Sequence, residues 1–219
     1  MRPLIFTILF LCLSPYAQAY VPVLVTQESL IDITPITDPE LAQVFFGELT
    51  GFPHTYEIEA KTPFTLVIGV HTPDLEMNTN TASGIVIKET TRGCVEEITR
   101  LTGTEASWNV VRDTLSGGRY REGLSFESQL DPGVYRIEIH TPDNREKYQF
   151  AIGTREEMTI GYLELLRRII SVDKFLERSV FWIITSPYVY LPLFGFVSVC
   201  MSAWYLRRRF SRIGGERVI

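Results

Sequence analysis

The chain has 219 residues, 45% apolar and 21% charged, with a formal net charge of −5 and a mean hydropathy of +0.08. That length suits one or two domains and excludes a large multidomain enzyme. Three cysteines, Cys12, Cys94 and Cys200, exclude a disulfide framework, and the hydropathy is high for this charge content because apolar residues are concentrated at the two ends.

The first concentration, residues 4–13, follows Arg2 and Pro3, holds Thr7 as its one clearly polar side chain, and is followed by Ala17-Gln18-Ala19. The pattern predicts an export signal over residues 1–19, cleaved after Ala19. An N-terminal anchor is the alternative, but the run is shorter than the roughly 20 residues a bilayer span needs.

Residues 20–155 read as strands of an exported domain. Residues 64–71 put Phe64, Leu66, Ile68 and Val70 on one face; Tyr135, Ile137 and Ile139 alternate with Arg136, Glu138 and His140; residues 147–153 turn Tyr148, Phe150 and Ile152 inward. Similar runs occupy 43–49, 55–60, 84–89 and 124–130, with weaker ones at 21–26 and 108–111. Turn formers separate them, among them Gly51-Phe52-Pro53, Thr72-Pro73-Asp74, Gly117-Gly118 and Thr141-Pro142-Asp143-Asn144. Seven to nine short strands predict a mainly β fold, an antiparallel β-sandwich of jelly-roll or immunoglobulin-like kind. Asp131-Pro132-Gly133-Val134 has the residues of a type II turn, which predicts a positive φ at Gly133.

Over residues 156–178 the period becomes helical. Ile160, Leu163, Leu166, Ile169, Ile170 and Leu176 share a face, with Phe175 beside them and Glu164, Arg167, Arg168, Ser171, Lys174 and Glu177 opposite. This predicts an amphipathic, membrane-proximal helix of five to six turns, lying either on the membrane interface or on the sandwich or a partner.

Residues 179–206 are the predicted transmembrane helix. Residues 180–206 carry no charged side chain and end at Arg207-Arg208-Arg209. At about 1.5 Å per residue they reach roughly 40 Å, against a hydrocarbon core of about 30 Å. Trp182, Tyr188 and Tyr190 stand near the start and Trp204 and Tyr205 at the end, where aromatic rings favour the headgroups, and the arginines mark the cytoplasmic side. The expected product is a single-pass cell-membrane protein, its N-terminal domain extracytoplasmic (periplasmic or extracellular) and its basic tail, 207–219, cytoplasmic. Pro187 and Pro192 remove backbone donors, so the ordered helix is expected to begin or bend near Pro192; a re-entrant first half is the rival. Cys200 reads as a small packing residue.

Residues 20–154 hold 20 acidic and 10 basic side chains, whereas the tail holds five basic and one acidic. The acidic exported part argues against nucleic-acid binding, and the tail suits anionic inner-leaflet lipid.

Leu130-Asp131-Pro132-Gly133-Val134-Tyr135-Arg136-Ile137-Glu138-Ile139, followed by Asn144-Arg145-Glu146-Lys147-Tyr148-Gln149-Phe150-Ala151-Ile152-Gly153, resembles the closing hairpin of bacterial pre-peptidase C-terminal-type domains. There a Pro-Gly-x-Tyr turn opens one strand and a Lys/Tyr-x-Phe/Leu strand ends the domain. Closer still are uncharacterised bacterial single-span membrane proteins in which such a domain ends in a Gly-x-x-Glu segment, here Gly153-Thr154-Arg155-Glu156-Glu157. The resemblance covers residues 46–157 and implies a β-sandwich; its matching residues are turn and core positions and imply no activity.

Motifs that carry chemistry are sparse. Gly123-Leu124-Ser125-Phe126-Glu127 lacks the second glycine of a nucleophile elbow, and there is no His-Glu-x-x-His, Cys-x-x-Cys or glycine-rich phosphate loop. His71-Thr72-Pro73-Asp74 and His140-Thr141-Pro142-Asp143 each end an apolar strand and read as duplicated strand-to-turn patterns, with a metal bridging the two histidines as the sharper alternative. The segment from Asp74 to Thr81 carries oxygen donors without the ordered spacing of a calcium loop. Glu96-Glu97 and Glu156-Glu157 are adjacent, and a strand sends neighbours to opposite faces, so neither reads as a catalytic dyad. Cys94 is either buried or available for an intermolecular bridge.

No catalytic, cofactor-binding or metal-binding residue is nominated. The expectation is a membrane-anchored, non-catalytic β-sandwich that binds a protein or glycan or scaffolds an envelope complex, with the lipid bilayer as a further partner and a homo-oligomer as an option. The alternative is an envelope hydrolase or enzyme accessory subunit whose site the sequence does not display.

Overall fold

The computed structural model describes residues 20–90, 93–103, 109–113, 117–157 and 160–215. The expected export signal, residues 1–19, lies outside them, as does Trp108 of the weak run at 108–111.

Twelve strands occur among the described residues: β1 (Val21–Val25), β2 (Ile33–Pro35), β3 (Gln43–Glu48), β4 (His54–Ala60), β5 (Phe64–Pro73), β6 (Ser83–Glu89), β7 (Val95–Leu101), β8 (Val110–Arg112), β9 (Arg119–Arg121), β10 (Ser125–Leu130), β11 (Gly133–His140) and β12 (Lys147–Ile152). One sheet runs β1-β3-β12-β5-β9-β8, with β10 also on β5; the other runs β2-β4-β11-β6-β7. They form the expected β-sandwich, because the alternating faces of both sheets are apolar and only mutual contact removes them from water. Phe45, Tyr56 and Phe150 lie at the centre, with Phe150 4.9 Å from the Tyr56 ring and 5.9 Å from the Phe45 ring.

Two pairings depart from an all-antiparallel sandwich. β1 runs parallel to β3 and β2 parallel to β4, both at sheet edges. The N-terminal segment crosses from one sheet to the other and adds a strand to each.

The strands absent from the sequence reading, β2, β7 and β9, are short or at an edge. β7 buries Leu101 and half-buries Ile98 among polar residues, and its register with β6 shifts between Val86 and Ile87, which breaks any two-residue alternation. β9 and β10 meet β5 in succession, separated by a bulge where Gly123 donates its N–H to His71 Nδ1 at 3.1 Å. Only glycine fits there, since a Cβ would fall 1.5 Å from the Val70 carbonyl oxygen. Gly133 is the first residue of β11 with φ 159°, near-extended rather than the roughly +80° of a type II turn. The Tyr135 hydroxyl instead ties the corner, donating to the Asp131 carbonyl at 2.7 Å.

The amphipathic segment is helical over α1 (Tyr162–Phe175), 14 residues and so four turns rather than five to six. It lies on the sandwich. Val172 and Leu176 are buried against the outer face of the seven-stranded sheet with Val44, Phe46 and Tyr120, while Leu165 and Ile169 are buried in a second cluster with Tyr20, Ile183 and Tyr188. The expected stripe was rotated: Leu163 is 71% exposed, while Leu165 and Val172, absent from that stripe, face inward. α1 ends in a Schellman arrangement, with Glu177 at φ 58° and Arg178 N–H donating to the Asp173 carbonyl. The buried Lys147 ammonium of β12 donates to the Phe175 carbonyl at 2.9 Å and the Glu177 carboxylate at 2.7 Å, fixing that end of the helix to the sheet.

A 3-10 helix (Val180–Thr185) follows, then α2 (Pro187–Gly215), which is long and apolar enough to cross a membrane over Pro187–Tyr205. Pro187 opens α2, where its missing donor is not needed. Pro192 lies inside it and leaves the Tyr188 carbonyl without its helical donor; the Tyr162 hydroxyl of α1 supplies one at 2.6 Å. The helix therefore starts five residues before Pro192, because a neighbouring helix repairs the proline defect. Cys200 is exposed on α2 rather than packed within the chain.

Candidate functional site: the outer face of the five-stranded sheet

Pairing registers place two rows of side chains across the outer face of the five-stranded sheet. One reads Ile33, Thr55, Glu138, Ile85, Arg100; the next reads Pro35, Glu57, Arg136, Ile87, Glu97. The strands alternate apolar-in and polar-out, which explains Glu57, Arg136 and Glu138. Ile33, Ile85 and Ile87 break the rule, since aliphatic side chains on a solvent face gain nothing from the fold itself.

Two further aliphatic residues overhang this face from the β1–β2 turn. Leu30 is 64% exposed and Ile31 86% exposed. They are held out by a rigid turn in which the Asp32 carboxylate accepts the N–H groups of Glu28 (2.7 Å) and Ser29 (2.9 Å), bonds that also lower its pKa. Together these residues border a cavity of about 430 Å³.

Ion pairs organise its polar side. Arg136 reaches Glu57 at 3.1 Å and Glu89 at 2.9 Å, and Arg100 clasps Glu97 with two nitrogens, at 3.2 and 2.7 Å. The Arg100 hydrogen bonds hold the Glu97 carboxyl below its usual range. The result is an aliphatic centre with a charged border. Among the described residues no aromatic ring lines it.

The residues weighed in the sequence fall elsewhere. His71 and His140 follow the inward residues Val70 and Ile139 on different sheets, and so project from opposite outer faces of the sandwich; one metal cannot join them. His140 approaches Glu138 at 3.9 Å, and His71, lowered in pKa by burial, accepts the Gly123 N–H. The loop from Asp74 to Thr81 spends its polar groups on the fold. Buried Asn78 bonds the Pro73 and Lys147 carbonyls and the Lys147 N–H, and Glu146 Oε1 accepts from Thr79 and Asn80. Cys94 is exposed, not buried. Glu97 is engaged by Arg100, and Glu157 lies 3.8 Å from Arg155. Among the described residues no three His, Cys, Asp or Glu side chains cluster as metal ligands.

One constellation escaped the sequence reading. His54, fully buried at the start of β4, meets the Tyr148 hydroxyl through Nδ1 at 2.7 Å, and Tyr148 meets the Tyr56 hydroxyl at 2.7 Å. Burial drives the His54 pKa down to about 4 and both phenols upward. Gly47, opposite Tyr148, leaves room for that ring: a Cβ would stand 2.4 Å from its hydroxyl. The alternation His54, Tyr56, Ile58 was the available signal. The network lies inside the core, where it ties β4 of one sheet to β12 of the other.

No family model and no curated protein matches the chain. Among solved structures it is similar to the pre-peptidase C-terminal domain of a collagenase from Bacillus anthracis, with 11% identity over 57% of this chain and 98% of that domain and a TM-score of 0.35. It is also similar to a β-glucosidase from Paenibacillus barengoltzii, with 13% identity over 60% of this chain but only 13% of that enzyme and a TM-score of 0.26. A domain of the type that the closing hairpin resembles is among these similar structures.

Proposed function

We propose that the protein is a membrane-anchored, non-catalytic binding module of the cell envelope, exported by its leader. In this reading α2 crosses the membrane, the sandwich stands outside, and the arginine-rich end of the chain is cytoplasmic. The charge asymmetry about the span and the absence of buried side chains along Pro187–Tyr205 support the anchor. A place among single-span membrane proteins with a pre-peptidase C-terminal-like domain belongs to the same proposal.

The observation that carries the binding reading is the aliphatic group Leu30, Ile31, Ile33, Ile85 and Ile87, set among ion pairs on a sheet face that α1 does not cover. Its chemistry favours a protein over a glycan. A photoactivated crosslinker at position 31 of the full chain, in membranes of the cells that make it, should yield one discrete protein adduct, and one at Thr65 of the other sheet should not. Ile87→Glu should abolish the adduct. Equal labelling from both positions, or an adduct indifferent to Ile87→Glu, refutes the assignment of the face; substrate turnover by the purified chain in a hydrolase screen refutes the non-catalytic reading.

A further inference from the structure

A second cavity, of about 470 Å³, lies where the sandwich meets the segment leading into α2. Its walls come from three elements: Asp74 and Leu75 after β5, Arg112 and Arg119 of the β8–β9 hairpin, and Leu176, Arg178 and Trp182 after α1. Three arginines and one aspartate give it a formal charge of +2, within a sandwich whose residues 20–154 sum to −10. A positive cavity so placed runs against the charge of its own domain.

The guanidinium groups are braced. Arg178 lies 3.2 Å from the fully buried Asp173 and stacks over the Trp182 ring at 5.0 Å. Arg119 meets Asp74 at 3.0 Å, and Arg112 Nε donates to the Gly117 carbonyl at 3.2 Å. Arg119 nevertheless keeps a side chain 67% exposed. Leu75, Leu176 and Trp182 supply the apolar part of the same lining, so the cavity offers guanidinium groups to an anion and apolar surface to hydrocarbon.

Position supplies the rest. Trp182 sits in the 3-10 helix directly before α2, and Phe181 beside it is 82% exposed, with Ile184 also outward. With α2 across the bilayer, these rings lie at the headgroup level of the outer leaflet. α1 is bound to the sheet through Lys147 and to α2 through Tyr162, so the cavity is held at that level rather than carried on a loose tether.

We infer that this cavity binds the phosphate of an anionic phospholipid from the leaflet facing the sandwich, with Arg112, Arg119 and Arg178 on the phosphate and Leu75, Leu176 and Trp182 against the glycerol and first acyl carbons. Arginine suits phosphate because its planar donors bind two oxygens together. The inference rests on the reading of α2 as a membrane span. Its consequence is a sandwich locked in height and rotation, which presents the aliphatic face of the other sheet in a fixed direction.

The test uses the full chain in dodecyl maltoside, with bound lipid counted by native mass spectrometry during titration with phosphatidylglycerol, phosphatidylcholine or inorganic phosphate. One phosphatidylglycerol should be retained at a concentration at least tenfold below that needed for phosphatidylcholine. Arg112→Gln with Arg119→Gln should erase the preference, and Leu75→Glu, which places a carboxylate in the cavity while leaving the arginines intact, should do the same. Both variants should retain the parent far-UV spectrum. Equal retention of the two lipids, an unchanged preference in both variants, or displacement of phosphatidylglycerol by millimolar inorganic phosphate overturns the lipid assignment, the last pointing to a soluble phosphate ligand. Alkaline carbonate treatment of native membranes separates the two levels of reading. Release of the chain refutes the span, and the lipid site with it, whereas retention without lipid selectivity refutes the lipid site alone.

Discussion

His54 makes the stability of the sandwich depend on pH in a way that can be isolated. Its ring is fully buried against Tyr148 and Phe52, and burial lowers its pKa from 6.5 to about 4. The folded state therefore binds fewer protons than the unfolded state between those values. The contribution of this histidine is present above pH 6.5, begins to fall as the unfolded histidine protonates, and is gone once the pH drops through about 4. At about 1.4 kcal/mol per pKa unit, the difference amounts to about 3 kcal/mol in total, of which about 2 kcal/mol is lost by pH 5. Carboxylates also titrate in that range, so the measurement is a comparison. Urea unfolding of the full chain in detergent, followed by far-UV circular dichroism from pH 8 to pH 5, is recorded for the parent and for His54→Gln, which cannot titrate. The variant should lose about 2 kcal/mol less than the parent between those limits, whatever its stability at pH 8. Parallel pH dependences would refute the argument, since they would mean that water reaches His54 in the folded state.

Gly47→Ala should destabilise the same core by about 2 kcal/mol or more in urea unfolding, because its new methyl group would collide with the Tyr148 ring; a loss under about 0.5 kcal/mol would show that the ring moves freely. Leu165→Ala should cost about 3 kcal/mol, as a buried leucine does, whereas Leu163→Ala, at 71% exposure, should stay within about 0.5 kcal/mol. The reverse order would return α1 to the membrane interface. Glu146→Ala should raise amide hydrogen exchange at Thr79 and Asn80 at least tenfold, since both N–H groups donate to that carboxylate; unchanged exchange would place the hold on this loop in Asn78 alone.

Much of the architecture was legible in the residue order. Alternation at Phe64, Leu66, Ile68 and Val70, and at Tyr135, Ile137 and Ile139, depends only on the two-residue period of a strand, so the sandwich and its core could be read directly. The apolar, charge-free run over 180–206 was equally plain, because length and composition alone decide whether a helix can cross hydrocarbon. Strands without that signature were lost: β7 mixes polar and apolar residues across a shifted register, and β2 and β9 have three residues each.

What only the tertiary structure decided concerns partners distant in sequence. The helical period announced an apolar face on α1, but which residues it buries was decided elsewhere: Val172 meets Val44, Phe46 and Tyr120 of the seven-stranded sheet, and Leu165 and Ile169 meet Tyr20, Ile183 and Tyr188. Pro192 looked like the start of a helix until Tyr162 supplied the donor it lacks. The aliphatic face exists because pairing registers align Ile33, Ile85 and Ile87, three residues from two strands of which neither is apolar throughout. The arginine cavity likewise joins residues from positions 74, 112, 119 and 178. A local pattern fixes how a segment turns its side chains, since that depends on backbone geometry within a few residues; which side chains meet across the fold depends on packing between segments, and no single segment contains it.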